Sequence, residues 1–131
     1  MKLKRTSLLF NNSLKKAIKE DPEVQFSKGV QNALKYINDI LLFNFTELSS
    51  SVPNPIFNCS DNDGNVRENE RLIRAFRKAS RIASIIEYDN DFINEKIWVR
   101  MDFYSNNVLI FNVNASFHLD GFYTGAGIGI G

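Results

Sequence analysis

An α+β fold, with N-terminal helices packed on a C-terminal antiparallel β-meander of three or so strands, is what three features of this sequence predict. Phe26, Val30, Leu34, Ile37, Leu41 and Phe45 recur every three or four positions, the repeat of a helix that buries one face. A similar repeat returns in Leu72, Phe76, Ala79, Ala83 and Ile86. From Ile97 the period drops to two: Ile97, Val99, Met101 and Phe103 alternate with Trp98, Arg100, Asp102 and Tyr104, the pattern of a half-buried strand. Helices first and strands last is not the alternating order of a doubly wound sheet.

The composition, 44% hydrophobic and 24% charged with eleven Phe and three Pro in 131 residues, is that of a chain that builds a core rather than a disordered one. The length suits one domain, helical over about 1–88 and β over about 96–131. A net charge of +1 hides an asymmetry. Residues 1–81 carry 14 Lys/Arg against 9 Asp/Glu, and residues 82–131 carry 2 against 6. A basic helical part and an acidic strand part orient a charged partner or a second copy of the chain.

In chain order, residues 1–20 are basic and weakly patterned, with Ser13 placed to open a short helix through Glu20. Asp21-Pro22-Glu23 reads as a helix start, an N-cap acid followed by proline at N1. Gly29 inside that helix costs ~1 kcal/mol relative to Ala, which favours a start near Ser27. Ser49 to Asn65, with Pro53, Pro55 and Asp61-Asn62-Asp63-Gly64, reads as a long loop. A basic helix follows from about Val66 to Tyr88, closed by Asp89-Asn90-Asp91.

The first strand ends at Ser105-Asn106-Asn107, and Leu109, Phe111, Val113, Ala115 and Phe117 continue the apolar face beyond it. Antiparallel partners share a face, so the loop between two such strands needs an odd length. A three-residue loop with Asn107 in the left-handed region meets this condition. It sets Arg100 opposite Asn112 and Met101 opposite Phe111. The polar face then holds Arg100, Asp102, Tyr104 and His118. Asp120-Gly121 signals another turn, and Phe122 to Gly131 a third strand with glycines on one face, bare enough for another backbone to approach. Its exposed edge would also accept strand addition by another chain.

The sharpest functional feature is a basic stripe. Arg67, Arg71, Arg74, Lys78 and Arg81 are spaced by 4, 3, 4 and 3, which puts all five within about 40° of one line on a continuous helix. Such a line meets phosphates, acidic protein or solvent.

Other constellations are weaker. Residues 59–70 match an EF-hand loop in part, through Asp61, Asp63, Gly64 and Glu70, but Cys59 stands where calcium needs its first carboxylate. A polar turn leading into a helix is the favoured reading, and no metal is expected. His118 is the only histidine. Nothing near it completes a two-histidine mechanism, and no nucleophile elbow, P-loop or zinc spacing occurs. No catalytic residue and no cofactor is therefore assigned. Gly125 to Gly131 lacks the spacing of a dinucleotide fingerprint. Cys59 is the single cysteine, so no intramolecular disulfide forms, which suits a reducing compartment.

No apolar run approaches the ~20 residues of a membrane span. Leu8-Leu9-Phe10 is too short for the apolar core of a signal peptide. The expectation is a cytoplasmic protein, or one within an intracellularly assembled particle.

Three functions follow. The leading one is a non-enzymatic protein-binding module: a structural subunit of a larger assembly, such as a virion, or a small inhibitor or immunity-type protein, with a protein partner or self-association. The second is nucleic-acid binding through the 67–81 stripe. The third comes from the element order, which is similar to the cone-shaped sheets of the NTF2-like superfold. That likeness implies a small-ligand pocket or an enzyme site between sheet and helices, with Asp102, Tyr104 and His118 as its polar groups, although a superfold does not fix function.

Overall fold

The computed structural model describes residues 5–41, 62–90 and 94–129, with the backbone alone for 62–69 and 126–128. The elements are β1 (Arg5–Phe10), α1 (Asn12–Glu20), a 3₁₀ turn (Pro22–Phe26), α2 (Lys28–Leu41), α3 (Asn62–Lys78), β2 (Arg81–Asn90), β3 (Glu95–Ser105), β4 (Val108–His118) and β5 (Tyr123–Gly129). The class is α+β, but the sheet has five strands in the order β1-β2-β3-β4-β5. It is mixed: β1 runs parallel to β2, and the other neighbours are antiparallel. No helix among the described residues is long and apolar enough to cross a membrane.

Two strands lie where helical sequence was expected, so the division into a helical 1–88 and a β 96–131 does not hold. β1 occupies the basic start of the chain. It pairs Arg5 with Arg81 and Phe10 with Ile86. β2 replaces about the last two turns of the expected 66–88 helix. The helical reading joins Ala83 to Ile86, three apart, on one face, whereas in a strand those two point to opposite sides and Ile86 shares its face with Ile82. Ile82, Ser84 and Ile86 are buried while Ala83 and Ile85 are only partly so, which is the strand period. The break falls at Ser80, whose N–H donates to the Tyr104 carbonyl at 2.8 Å and whose hydroxyl donates to the same oxygen at 3.3 Å.

The helix starts are capped by polar side chains. Asn11, rather than Ser13, caps α1 and accepts from Ser13 N at 2.7 Å. The Ser13 hydroxyl instead accepts from Tyr88 N at 3.1 Å, tying α1 to β2. Asp21 caps the 3₁₀ turn, accepting from Glu23 N at 3.1 Å. The Ser27 hydroxyl accepts from Val30 N at 3.3 Å at the start of α2. Proline at N1 thus opens a 3₁₀ turn, and α2 begins at Lys28.

The turn between β3 and β4 departs from the expected three-residue loop. Asn106 and Asn107 both have positive φ, 51° and 67°, and Ser105 pairs with Val108. This is a two-residue hairpin, of the kind asparagine favours because it tolerates the left-handed region. A two-residue turn alone would set apolar residues against polar ones. A register shift at Phe103/Tyr104 corrects this: Tyr104 pairs with Leu109, Phe103 with Phe111, and Ile110 has no partner. Beyond the bulge Arg100 faces Asn114, not Asn112, and Met101 faces Val113, not Phe111. Leu109 accordingly shares the face of Tyr104, and Ile110 packs against the core.

The core lies on one face of the sheet. Leu14, Val30, Ala33, Ile37 and Ile40 from α1 and α2, with Leu72 and Ala75 from α3, cover Ile82, Ile86, Ile97, Val99, Met101, Phe103, Val113 and Ala115. Phe103 and Phe111 meet edge to face at 5.6 Å between centroids.

Candidate functional site

The α3–β4 junction brings cations and apolar surface together. Arg71, Arg74, Ala75 and Lys78 of α3 and Ile110 and Phe111 of β4 line a cleft of about 420 Å³. On α3, Leu72, Ile73 and Ala75 are buried, whereas Arg71, Arg74, Arg77 and Lys78 are exposed. The cleft therefore has a basic rim and an apolar floor. Ile110 reaches that floor because the bulge leaves it outside the β3 pairing, and bulges re-aim side chains in this way. Among the described residues, none forms an ion pair with Arg71, Arg74 or Lys78.

The stripe read from the sequence is only partly kept. Arg71, Arg74 and Lys78 line one cleft. Arg67 lies on α3, with its side chain outside the described ones. Arg81 leaves the stripe altogether. It is the first residue of β2, and its guanidinium lies 4.1 Å from the centroid of the Tyr104 ring. That cation–π contact is on the sheet face turned away from the helices, since Arg81 pairs with Tyr104 while Ile82 pairs with buried Phe103.

Arg100, Asp102, Tyr104 and His118 share by register the face opposite Ile97, Val99, Met101 and Phe103 but form no single site. Asp102 is only 3% exposed. Arg100 Nε lies 3.1 Å from Asp102 Oδ1, yet that oxygen receives no hydrogen bond, so the pair is held by charge rather than by aligned donation. Tyr104 is taken up by Arg81. His118 pairs with Lys96, eight residues along β3 from Tyr104, or ~26 Å at strand rise. It borders a separate cleft of about 420 Å³ with Asn94, Glu95, Leu119 and Asp120. These three polar groups thus do not lie between the sheet and the described helices, where the NTF2-like likeness would put a pocket.

The register places Gly125, Gly127 and Gly129 opposite Ser116, Asn114 and Asn112, on the same face as Asp102 and Tyr104. At Gly129 the missing side chain is used within the molecule: a Cβ there would stand 2.8 Å from the Asn112 amide atoms. The Ser116 and Thr124 hydroxyls hydrogen-bond across the β4–β5 pair.

The partial calcium loop divides at the helix boundary. Residues 59–61 lie outside the described ones, and Asn62 to Glu70 are helical, so its second half does not take the form of an EF-hand loop. Among the described residues no group of three or more His, Cys, Asp or Glu gathers to hold a metal ion.

Sequence reasoning missed the role of Ile110, because the bulge that turns it follows from the turn type. The signal available was Asn106-Asn107, a pair suited to a two-residue turn whose length forces a register correction. Searches of family models, curated proteins and solved structures gave no match to this chain.

Proposed function

We propose that this protein is a non-enzymatic protein-binding module, working as a subunit of a larger assembly or as a small inhibitor or immunity-type protein, and that its contact surface is the α3–β4 cleft. The observation that carries the reading is the combination of three exposed cations, Arg71, Arg74 and Lys78, with the part-exposed Ile110 in one cleft. Apolar centres rimmed by charge are characteristic of protein interfaces.

Nucleic acid is the weaker fit. Single-strand binders present aromatic rings on which bases stack. The one ring among the described lining residues, Phe111, is 3% exposed and is engaged edge to face with Phe103. Moving Arg81 off the helix also shortens the line of phosphate contacts.

The test is a salt series of fluorescence anisotropy with labelled single- and double-stranded oligonucleotides beside a labelled acidic peptide. The expected outcome is peptide binding that Arg71→Glu with Arg74→Glu removes, and no oligonucleotide binding at low salt. Tight oligonucleotide binding with a steep log–log salt slope would replace this reading with nucleic-acid recognition.

A further inference from the structure

We infer that the free edge of β1 is a self-association surface. A second copy of the chain lays its own β1 antiparallel along it, across a two-fold axis at Leu8, and Arg5 of each copy reaches Glu87 of the other. This contact goes beyond the protein-binding reading and uses no residue of the α3–β4 cleft. β1 is an edge strand. Arg5 to Leu9 are all exposed, Leu8 and Leu9 by 50% and 52%. The strand has no proline, no bulge and a charge only at Arg5, so it lacks most devices that blunt an edge.

The β1–β2 pairing fixes which backbone groups are left over. Asn11 N donates to the Ile86 carbonyl at 2.8 Å. Along a strand, alternate residues turn their N–H and C=O to opposite neighbours. Arg5, Ser7 and Leu9 therefore address β2 together with Asn11, and Thr6, Leu8 and Phe10 aim their backbone groups outward. None of these outward groups has a partner among the described residues. An extended strand is the occupant that satisfies them. A second β1 does so with Leu8 facing Leu8 and Thr6 facing Phe10, because every outward residue then exchanges both hydrogen bonds with another. A slip of one residue sets outward groups against inward ones, and a slip of two carries one pair off the strand.

Side chains agree with this register. Opposite residues share a face, so both copies keep their helices on one side of a continuous sheet. α1 packs on β2, where the Ser13 hydroxyl accepts from Tyr88 N. The two β2 strands lie three strand spacings apart, ~14 Å, which leaves room for two helices ~10–12 Å across. Arg5 stands beside Arg81 and forms no ion pair among the described residues, and neither does Glu87. Within one chain they are six strand positions apart, ~20 Å. Across the two-fold axis Arg5 faces Asn11 of the second copy, whose Nδ2 donates to Glu87 at 3.4 Å. That Glu87 is then two strand spacings from Arg5, ~10 Å between backbones, within reach of the two side chains. The charges are complementary at both ends of the contact.

The experiment is sedimentation velocity of the full chain from ~10 µM to ~1 mM, the range for an interface of two short strands. The parent should form dimers as concentration rises. Arg5→Glu and Glu87→Arg should each weaken the dimer at least tenfold. Their equimolar mixture should return to within threefold of the parent, since each variant supplies the charge the other lacks. Leu8→Pro removes an outward N–H and no β1–β2 bond, a place where an edge strand tolerates proline, and should leave monomers. In a Cys59→Ser background, Leu8→Cys should oxidise to a dimer, because facing Cα atoms at such a pair stand ~5.5 Å apart. Thr6→Cys, with its copies ~13 Å apart, should not.

A parent that stays monomeric at ~1 mM, a dimer that folded Leu8→Pro leaves intact, a mixture no tighter than its single variants, or cross-linking through Thr6→Cys would each overturn the pairing. If Leu8→Pro does not fold, the charge variants and their mixture decide. All of these outcomes leave acidic-peptide binding at Arg71 and Arg74 as it was, so the two readings fail separately.

Discussion

Gly29 of α2 lies so close to His118 of β4 that a Cβ on Gly29 would stand 2.7 Å from the His118 carbonyl oxygen and 3.0 Å from Ile97 Cγ1. The same contact carries a hydrogen bond from Gly29 N to the Leu119 carbonyl at 3.0 Å. Three residues on, Asn32 Nδ2 donates to the Gly121 carbonyl at 2.8 Å. The start of α2 is therefore pinned to the β4–β5 turn, and the glycine that weakens the helix is what admits the turn.

Gly29→Ala tests this directly. In an unobstructed helix the change would stabilise by ~1 kcal/mol. Here a methyl group meets backbone that has little freedom to move, and overpacking of this kind costs ~1–3 kcal/mol. The expected result is a lower urea midpoint at unchanged m-value. A midpoint equal to or above that of the parent would show that the contact yields without cost.

Tyr36 predicts the alkaline limit of the fold. It is buried, and its hydroxyl donates to the Asn114 carbonyl at 3.3 Å. Burial, with a smaller contribution from Tyr123, raises its pKa above the ordinary tyrosine value. The fold thus favours the protonated phenol. That contribution is complete below the unfolded value of ~10 and is lost as pH rises from there through the folded value. Tyr36→Phe should lower stability at pH 7 by ~1 kcal/mol through the lost hydrogen bond. It should also flatten the decline between pH 10 and 12, measured by urea unfolding across that range. Some decline should remain, because burial and Glu95 raise the pKa of Tyr88 too. An identical slope in the variant would remove Tyr36 from the account.

These two residues also show what the sequence made legible. The helical period from Val30 to Leu41 and the alternation through β3 and β4 are local patterns, and both survive folding. Gly29 could be read only as a local weakness, because its reason lies 89 residues away at His118. β1 has exposed Leu8 and Leu9, and it exists as a strand through pairing with β2, a contact no local period reports. β2 was obscured because Ala83 and Ile86 continue the helical spacing of Leu72, Phe76 and Ala79. At the cleft, the Arg71, Arg74 and Lys78 face was visible as helix spacing, while Ile110 depended on a bulge created by a turn.

The turn itself is testable. Asn106 and Asn107 both take left-handed angles, where glycine is free of strain and β-branched residues are not. Asn107→Gly should leave stability unchanged or raise it by up to ~1 kcal/mol. Asn107→Val should lower it by ~1–2 kcal/mol, both read from thermal or urea midpoints. Equal midpoints for the two variants would mean that the turn relaxes to another type, which would also release the bulge at Ile110.

The Arg100–Asp102 pair offers a cycle. Removing one partner of a buried pair leaves an uncompensated charge, at a cost of ~3–5 kcal/mol when the pair is fully buried. Arg100 is half exposed at 53%, so water screens part of the loss and Arg100→Ala should cost less than that range. Asp102→Asn in the Arg100→Ala background should recover part of the stability, since it removes the buried charge. Additive losses in the double variant would show that the two side chains do not depend on each other.

The rim cations divide structure from function. Arg71, Arg74 and Lys78 are exposed and make no described ion pair. Glutamine has a helix propensity close to theirs. Of the three, only Lys78 lies in the last turn of α3, where a cation gains ~0.3–1 kcal/mol from the helix dipole. The triple variant Arg71→Gln, Arg74→Gln, Lys78→Gln should therefore lose no more than ~1 kcal/mol in urea unfolding while losing acidic-peptide binding altogether. A loss above ~2 kcal/mol would assign the cations to holding α3 in place and would take away the reason to look for a partner in the cleft.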